Sequence, residues 1–226
     1  MLKKVKYKNF NIYFFELEYF ELAKNIIDKK INKIKELKNT QRNYVIKIKY
    51  NEKYYVLKEA RNEYKKLQRK ICTLFKKGEA LTTLVNLHNL VYKENMKEMV
   101  EPVLCIVSRN YGLINYSALV MENIEGIVAG RSNLEETIRI IKKLHKKERY
   151  HGDFNPSNFI VTSEKKVMVI DTQGKKMILG NYRAHYDMLT MKIDSYNEMV
   201  YPYNKNIFYY MAFLIKKIKK FFKNKK

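Results

Sequence analysis

The chain has 226 residues, 46% of them hydrophobic and 13% aromatic, and a formal net charge of +23 from 46 basic and 23 acidic side chains. That is enough apolar material for one large domain or two small lobes, and too much for an intrinsically disordered chain. The charge draws it to polyanions, whether nucleic acid, anionic lipid or phosphorylated glycan, and by itself does not choose among them.

The first residues are not a secretory signal, because Glu16, Glu18 and Glu21 interrupt the apolar stretch. The longest wholly apolar run, Ile207–Ile215, has 9 residues, against the roughly 20 that a spanning helix needs. An intracellular chain not integral to a membrane is expected. Cys72 and Cys105 match no CxxC or zinc spacing and are expected to be buried, reduced thiols.

Phe10–Phe15 reads as a strand. Glu16–Lys38, with Leu22, Ile26, Ile27, Ile31, Ile34 and Leu37, reads as an amphipathic helix. Tyr44–Tyr50 alternates, Asn51-Glu52 is turn-like and Tyr54–Lys58 is a second apolar run, so the three form a hairpin. A basic helical region over about 61–76 is broken by Gly78, and a helix over 79–95 follows. Val103–Val107 and Tyr116–Met121 form a second strand pair around the turn Asn110-Tyr111-Gly112. Ser132-Asn133-Leu134-Glu135 fits a capping box, opening a helix with Leu134, Ile138, Ile141 and Leu144 on one face. Val161 and Val167–Ile170 are short strands turned by Ser163–Lys166. After Gly180 the chain is helical. The order predicts an α+β fold with a mixed N-terminal lobe and a mostly helical C-terminal lobe, the boundary falling near Glu122–Gly126.

Between these elements lies His151-Gly152-Asp153-Phe154-Asn155-Pro156-Ser157-Asn158. Asp153 and Asn158 are five residues apart, and Asp171 lies thirteen beyond Asn158. Phosphoryl transfer of the kinase type needs this set: one carboxylate for the proton of the attacking hydroxyl, and an amide oxygen and a second carboxylate for Mg²⁺. Asp153 takes the catalytic role, Asn158 and Asp171 the metal role. Lys58, ending the run Tyr55-Val56-Leu57-Lys58, is the candidate for the α/β-phosphates of ATP. Its acidic partner is assigned to Glu79, with Glu63 as the alternative. Met121–Gly126, with Glu122 and Ile124, stands where backbone groups meet adenine. His151 organises the loop through hydrogen bonds, and His88, His145 and His185 have structural or surface roles. No glycine precedes Gly78, so the phosphate-covering hairpin lacks the glycine-rich loop of protein kinases.

These residues resemble the lipopolysaccharide core heptose(II) kinases, within the protein-kinase-like superfamily. The resemblance runs from about Tyr54 to the C-terminus. It rests on Tyr55–Lys58, Phe75–Glu79, Met121–Gly126, Leu144-His145, Gly152-Asp153 through Asn158–Ile160, and Ile170-Asp171-Thr172-Gln173-Gly174-Lys175. It departs at His151 and in the first 50 residues. It implies a two-lobed protein-kinase-like fold, residues 1–121 covering the nucleotide and 122–226 forming the catalytic lobe. It also implies transfer of the ATP γ-phosphate, with Mg²⁺, to a heptose hydroxyl of the inner core. The partner would be an anionic lipid-linked core oligosaccharide, met in the cytoplasm or at the cytoplasmic face of the inner membrane. The tail over about 207–226 carries Phe208, Met211, Leu214, Ile215, Ile218, Phe221 and Phe222 among seven lysines, the composition of an interfacial basic helix. Two other readings remain: a kinase for another small hydroxyl substrate or a protein Ser/Thr, and a non-catalytic, membrane-associated pseudokinase. No RNP, KH or zinc pattern is present, so nucleic acid is not an expected partner.

Overall fold

Asn51 and Glu52 both take positive φ, 45° and 62°, the two-residue mirror-image turn that matches the twist of a hairpin. It returns β4 (Tyr44–Tyr50) as β5 (Lys53–Glu59). Tyr111 and Gly112 do the same, with φ of 49° and 80°, between β6 (Pro102–Asn110) and β7 (Leu113–Glu122). Both hairpins stand where the alternating pattern placed them. The computed structural model describes residues 1–224; Lys225 and Lys226 of the expected tail lie outside the described residues. The chain forms two compact units, Met1–Lys93 with Val100–Asn123, and Glu94–Met99 with Ile124–Lys226.

The first unit is built on a seven-stranded antiparallel sheet in the order β1-β2-β6-β7-β5-β4-β3, with β1 at Lys3–Tyr7, β2 at Phe10–Phe14 and β3 at Asn32–Asn39. Its core gathers Ile12, Phe14, Ile48, Leu57, Leu104, Ile106 and Val120, joined by Leu22 and Ala23 of α1 (Tyr19–Ile27). Each fully buried side chain of this size contributes about 1.5–3 kcal/mol relative to exposure.

The helix expected over Glu16–Lys38 is shorter than its pattern. It ends at Ile27, where Asp28 accepts from the Tyr7 hydroxyl at 3.0 Å and the Lys8 ammonium at 2.5 Å, and Lys29 turns the chain with φ 58°. Residues 32–39 instead pair with β4 through two register shifts, with every residue exposed. Ile31, Ile34 and Leu37 have helical spacing, but an open sheet edge nearby offers backbone partners to the whole segment. The basic region likewise divides, at Lys66, into α2 (Arg61–Lys65) and α3 (Leu67–Cys72). Cys72 is exposed on α3, contrary to expectation, and Cys105 is buried on β6; α3 turns its short apolar set outward. The next helix, α4, covers Glu79–His88 and passes into a π-helical turn over Asn89–Lys93.

The second unit is mainly helical: α5 (Leu134–Lys146), α6 (Tyr182–Asp194) and α7 (Ile207–Asn224). A three-stranded sheet, β11-β10-β8, joins Ile127–Val128 (β8), Phe159–Val161 (β10) and Val167–Val169 (β11); Arg149–Tyr150 (β9) pairs with Lys175–Lys176 (β12). Gly130 N–H donates to Asn133 Oδ1 at 3.2 Å across the turn before α5, and the N-cap side chain makes no bond to the helix, so the expected Ser132–Glu135 box does not close it. A 3₁₀ turn over Arg131–Asn133 precedes the helix and puts Asn133, not Ser132, at the N-cap position. Glu94–Met99 belongs here because Arg149 pairs with Glu94, Lys143 with Glu98, and Val169 N–H donates to Glu98 O at 2.7 Å. The chain is α+β, and no described helix is long and apolar enough to cross a membrane.

Candidate functional site

The loop between β9 and β10 is fixed from beneath by one buried carboxylate. Asp187, in the middle of α6, accepts from His151 N at 2.6 Å through Oδ2 and from Gly152 N at 2.8 Å through Oδ1. Gly152 has φ 92°, the region where a side chain is disfavoured. That conformation lets two successive amides converge on one carboxylate. His145 Nε2 lies 3.1 Å from Asp187 Oδ2, and His145 Nδ1 lies 2.8 Å from the Tyr203 hydroxyl. The Thr172 hydroxyl donates to His151 O, and Arg149 donates to Gly174 O at 2.7 Å. The segment bearing Asp171 is thereby tied to the same loop.

His151 itself is buried. Its Nδ1 accepts from Asp153 N at 3.3 Å, and its ring stacks on Phe159 with centroids 5.5 Å apart. Burial pushes its pKa down, against the pull of Asp187, Asp171 and Asp153. Burial thus favours the neutral ring, which accepts from the Asp153 amide and shapes the loop. These same three carboxylates mark out the space around it.

Asp153 and Asn158 meet directly. Asn158 Nδ2 donates to Asp153 O at 2.7 Å and approaches Asp153 Oδ2 at 3.4 Å. The 3₁₀ turn Pro156–Asn158 that carries Asn158 is capped by Asn155, whose Oδ1 accepts from Ser157 N at 3.1 Å. Ile170 N–H donates to Asn158 O at 3.0 Å, which brings the end of β11, and so Asp171, beside the same turn. With Nδ2 committed to Asp153, Oδ1 is the atom of Asn158 left for a ligand. One amide oxygen and one carboxylate suit Mg²⁺, a hard cation that takes few protein ligands beside the phosphates of its substrate.

In the first unit Lys58 lies on β5, opposite Val45 of β4 and Leu119 of β7. Glu63 of α2 is buried, and its Oε1 accepts from Glu79 N at 2.6 Å, closing the N-terminus of α4. Burial pushes the Glu63 carboxyl up. Its backbone-capping position leaves Glu79, in the first turn of α4, as the more open carboxylate of the two. Glu122 ends β7, its N–H donating to Glu101 O at 3.0 Å. Burial, then Glu122 and Glu16, hold the Glu101 carboxyl above its ordinary range. Ile124 opens the second unit.

Sequence reading missed Asp187. Its only signal was an acid in the middle of a helix beside Ala184, Met188, Leu189 and Met191, all buried. His145 also proves to be part of this network. His88 stacks on Phe15 at 3.3 Å between centroids, and His185 lies 2.7 Å from the Tyr201 hydroxyl.

The lipopolysaccharide core biosynthesis protein (WaaY) family model matches residues 1–226. No curated protein matches the chain. Among solved structures the chain is similar to the kinase PK-1 of Cydia pomonella granulovirus, at 18% identity and a TM-score of 0.44. That likeness covers 72% of this chain and 57% of the viral kinase.

Proposed function

Because the chain belongs to the lipopolysaccharide core biosynthesis protein (WaaY) family, we propose that it is an ATP-dependent kinase of the lipopolysaccharide core, with a heptose hydroxyl as acceptor. The observation that carries the proposal is the Asp153–Asn158 pair, held at 2.7 Å in a loop anchored through two backbone amides to buried Asp187. Phosphoryl transfer asks mostly for positioning and charge neutralisation, and this loop is built for positioning. Asp153 orients the acceptor hydroxyl and takes its proton as the oxygen bonds to the γ-phosphorus and the bond to ADP breaks. Asn158 Oδ1 and the Asp171 carboxylate would hold Mg²⁺, which supplies charge neutralisation on the phosphates. Lys58, oriented by Glu79, serves the α- and β-phosphates, and backbone groups at Glu122 and Ile124 serve adenine.

The acceptor is an anionic, lipid-linked core oligosaccharide, met at the cytoplasmic face of the inner membrane. The chain's +23 charge favours such a partner. The test is incubation of purified protein with ATP, Mg²⁺ and core acceptor, with mass detection of phospho-heptose. Wild type should phosphorylate it, and Asp153→Ala should retain ATP binding and lose turnover. Transfer to aminoglycosides or to protein Ser/Thr, with none to core heptose, would assign a different acceptor. Unchanged turnover in Asp153→Ala would remove the catalytic assignment.

A further inference from the structure

Helix α7 wears its apolar residues on the outside. Ile207, Tyr210, Leu214, Ile218 and Phe221 follow one another at intervals of three, four, four and three residues, which is one continuous stripe on a helix. All five are exposed, from 47% at Ile218 to 78% at Ile207. The opposite side faces the protein: Ala212 is buried, Lys216 Nζ binds Asp194 Oδ2 at 2.6 Å, and Lys219 Nζ reaches the Tyr186 hydroxyl at 3.3 Å. Phe208, Met211 and Ile215, expected from sequence among the interfacial set, are only half-exposed and turn toward the packed side. The packed side mixes apolar and polar contacts, and a separate apolar row still stands in water.

The loop before α6 adds exposed apolar residues near the start of α7. Ile178 and Leu179 are exposed, and the next residue, Gly180, packs so tightly on α7 that a Cβ there would stand 2.4 Å from the Phe208 ring. Two more apolar side chains thus flank the first turn of the helix.

We propose that this stripe is the surface by which the chain lies on an anionic bilayer. Monomeric proteins rarely leave so ordered an apolar row uncovered, so it requires an occupant. Charge decides between the two candidates. Residues 207–224 include lysines and no Asp or Glu. By their helical spacing Lys217 follows one border of the stripe and Lys220 lies beyond it on the same side. A second copy of the helix would bring these lysines against their own kind. A bilayer bearing acidic headgroups accepts the apolar row at acyl depth and the lysines at the phosphate level. The inference deepens the proposed function by giving a lipid-linked acceptor a surface to share, and rests on that reading for this link alone.

The test is flotation of the full chain with vesicles of phosphatidylcholine alone or mixed with phosphatidylglycerol, without nucleotide or acceptor. A failure here is therefore distinct from a failure of phosphoryl transfer. Wild type should float with the acidic vesicles and not the neutral ones, and should release in high salt. The exposed triple substitution Leu214→Ser/Ile218→Ser/Phe221→Ser should keep the wild-type melting temperature and lose about tenfold or more in vesicle affinity. Wild type that ignores acidic vesicles, or a triple variant that binds as well as wild type, would overturn the proposal. So would a wild-type dimer in sedimentation that the triple variant converts to monomer, since a second copy would then be the occupant.

Discussion

Asp187 holds His151 by its backbone, the N–H donating to Oδ2 at 2.6 Å from a carboxylate on a different element. The geometry of the loop bearing Asp153 is therefore set by α6. Replacing Asp187 with Leu would leave the amides of His151 and Gly152 buried or half-buried without an acceptor. We expect a loss of about 3 kcal/mol in unfolding free energy. Asp187→Asn, which keeps one acceptor, should fold more stably than the Leu variant and still lower kcat more than it raises the KM for ATP. Equal kcat in wild type and Asp187→Asn would show that the anchor does not act through the loop.

Asn158→Ala removes both the bond to Asp153 and the oxygen assigned to Mg²⁺. Activity should fall by about 10–100-fold and the Mg²⁺ titration midpoint should rise. Binding of a fluorescent nucleotide without metal should change little. An unmoved midpoint would take Asn158 out of the metal site.

Burial holds His151 neutral in the folded chain, below its ordinary value of 6.5, while the unfolded chain protonates it freely. The stability this contributes is whole above about pH 6.5 and declines as pH falls from there. His88 and His185, also lowered first by burial, act in the same direction. Glu63, raised by burial, acts oppositely at lower pH. Urea unfolding should therefore show a steeper acid-side loss in wild type than in His151→Asn, whose side-chain oxygen can stand in for Nδ1. Parallel curves would refute the assignment.

Glu63 is a buried acid used as a helix cap, and neutralising it removes the cost of burying charge. Glu63→Gln retains an acceptor for Glu79 N–H and should be at least as stable as wild type near neutral pH. Glu63→Ala should lose about 1–3 kcal/mol. If the Gln variant instead abolishes phosphoryl transfer while folding normally, Glu63 and not Glu79 is the partner of Lys58.

The hairpins and the loop from His151 to Asn158 were legible because their signals are local. Asn51-Glu52 and Tyr111-Gly112 are turn chemistry, and the spacing of Asp153, Asn158 and Asp171 is set within one stretch of chain. The strand at 32–39 was hidden because Ile31, Ile34 and Leu37 carry helical periodicity and only pairing with β4 overrides it. Asp187 was hidden for the opposite reason: nothing near it in sequence shows that two amides, some 35 residues earlier, need its oxygens. The tail was legible in composition, but which face of α7 is buried depends on Asp194 and Tyr186 of a separate helix.

That strand at 32–39 also decides how the sheet ends. An outermost strand offers unpaired amides and carbonyls to any extended chain that drifts past. Here it carries Lys33, Lys35 and Lys38, is fully exposed, and is irregular at two register shifts. The far edge, β1, presents Lys3, Lys4 and Lys6. Another copy of this protein would meet like charge and a bent template at either end. Both ends of this sheet thus carry the charge, and β3 the irregularity, that oppose edge-to-edge stacking of copies.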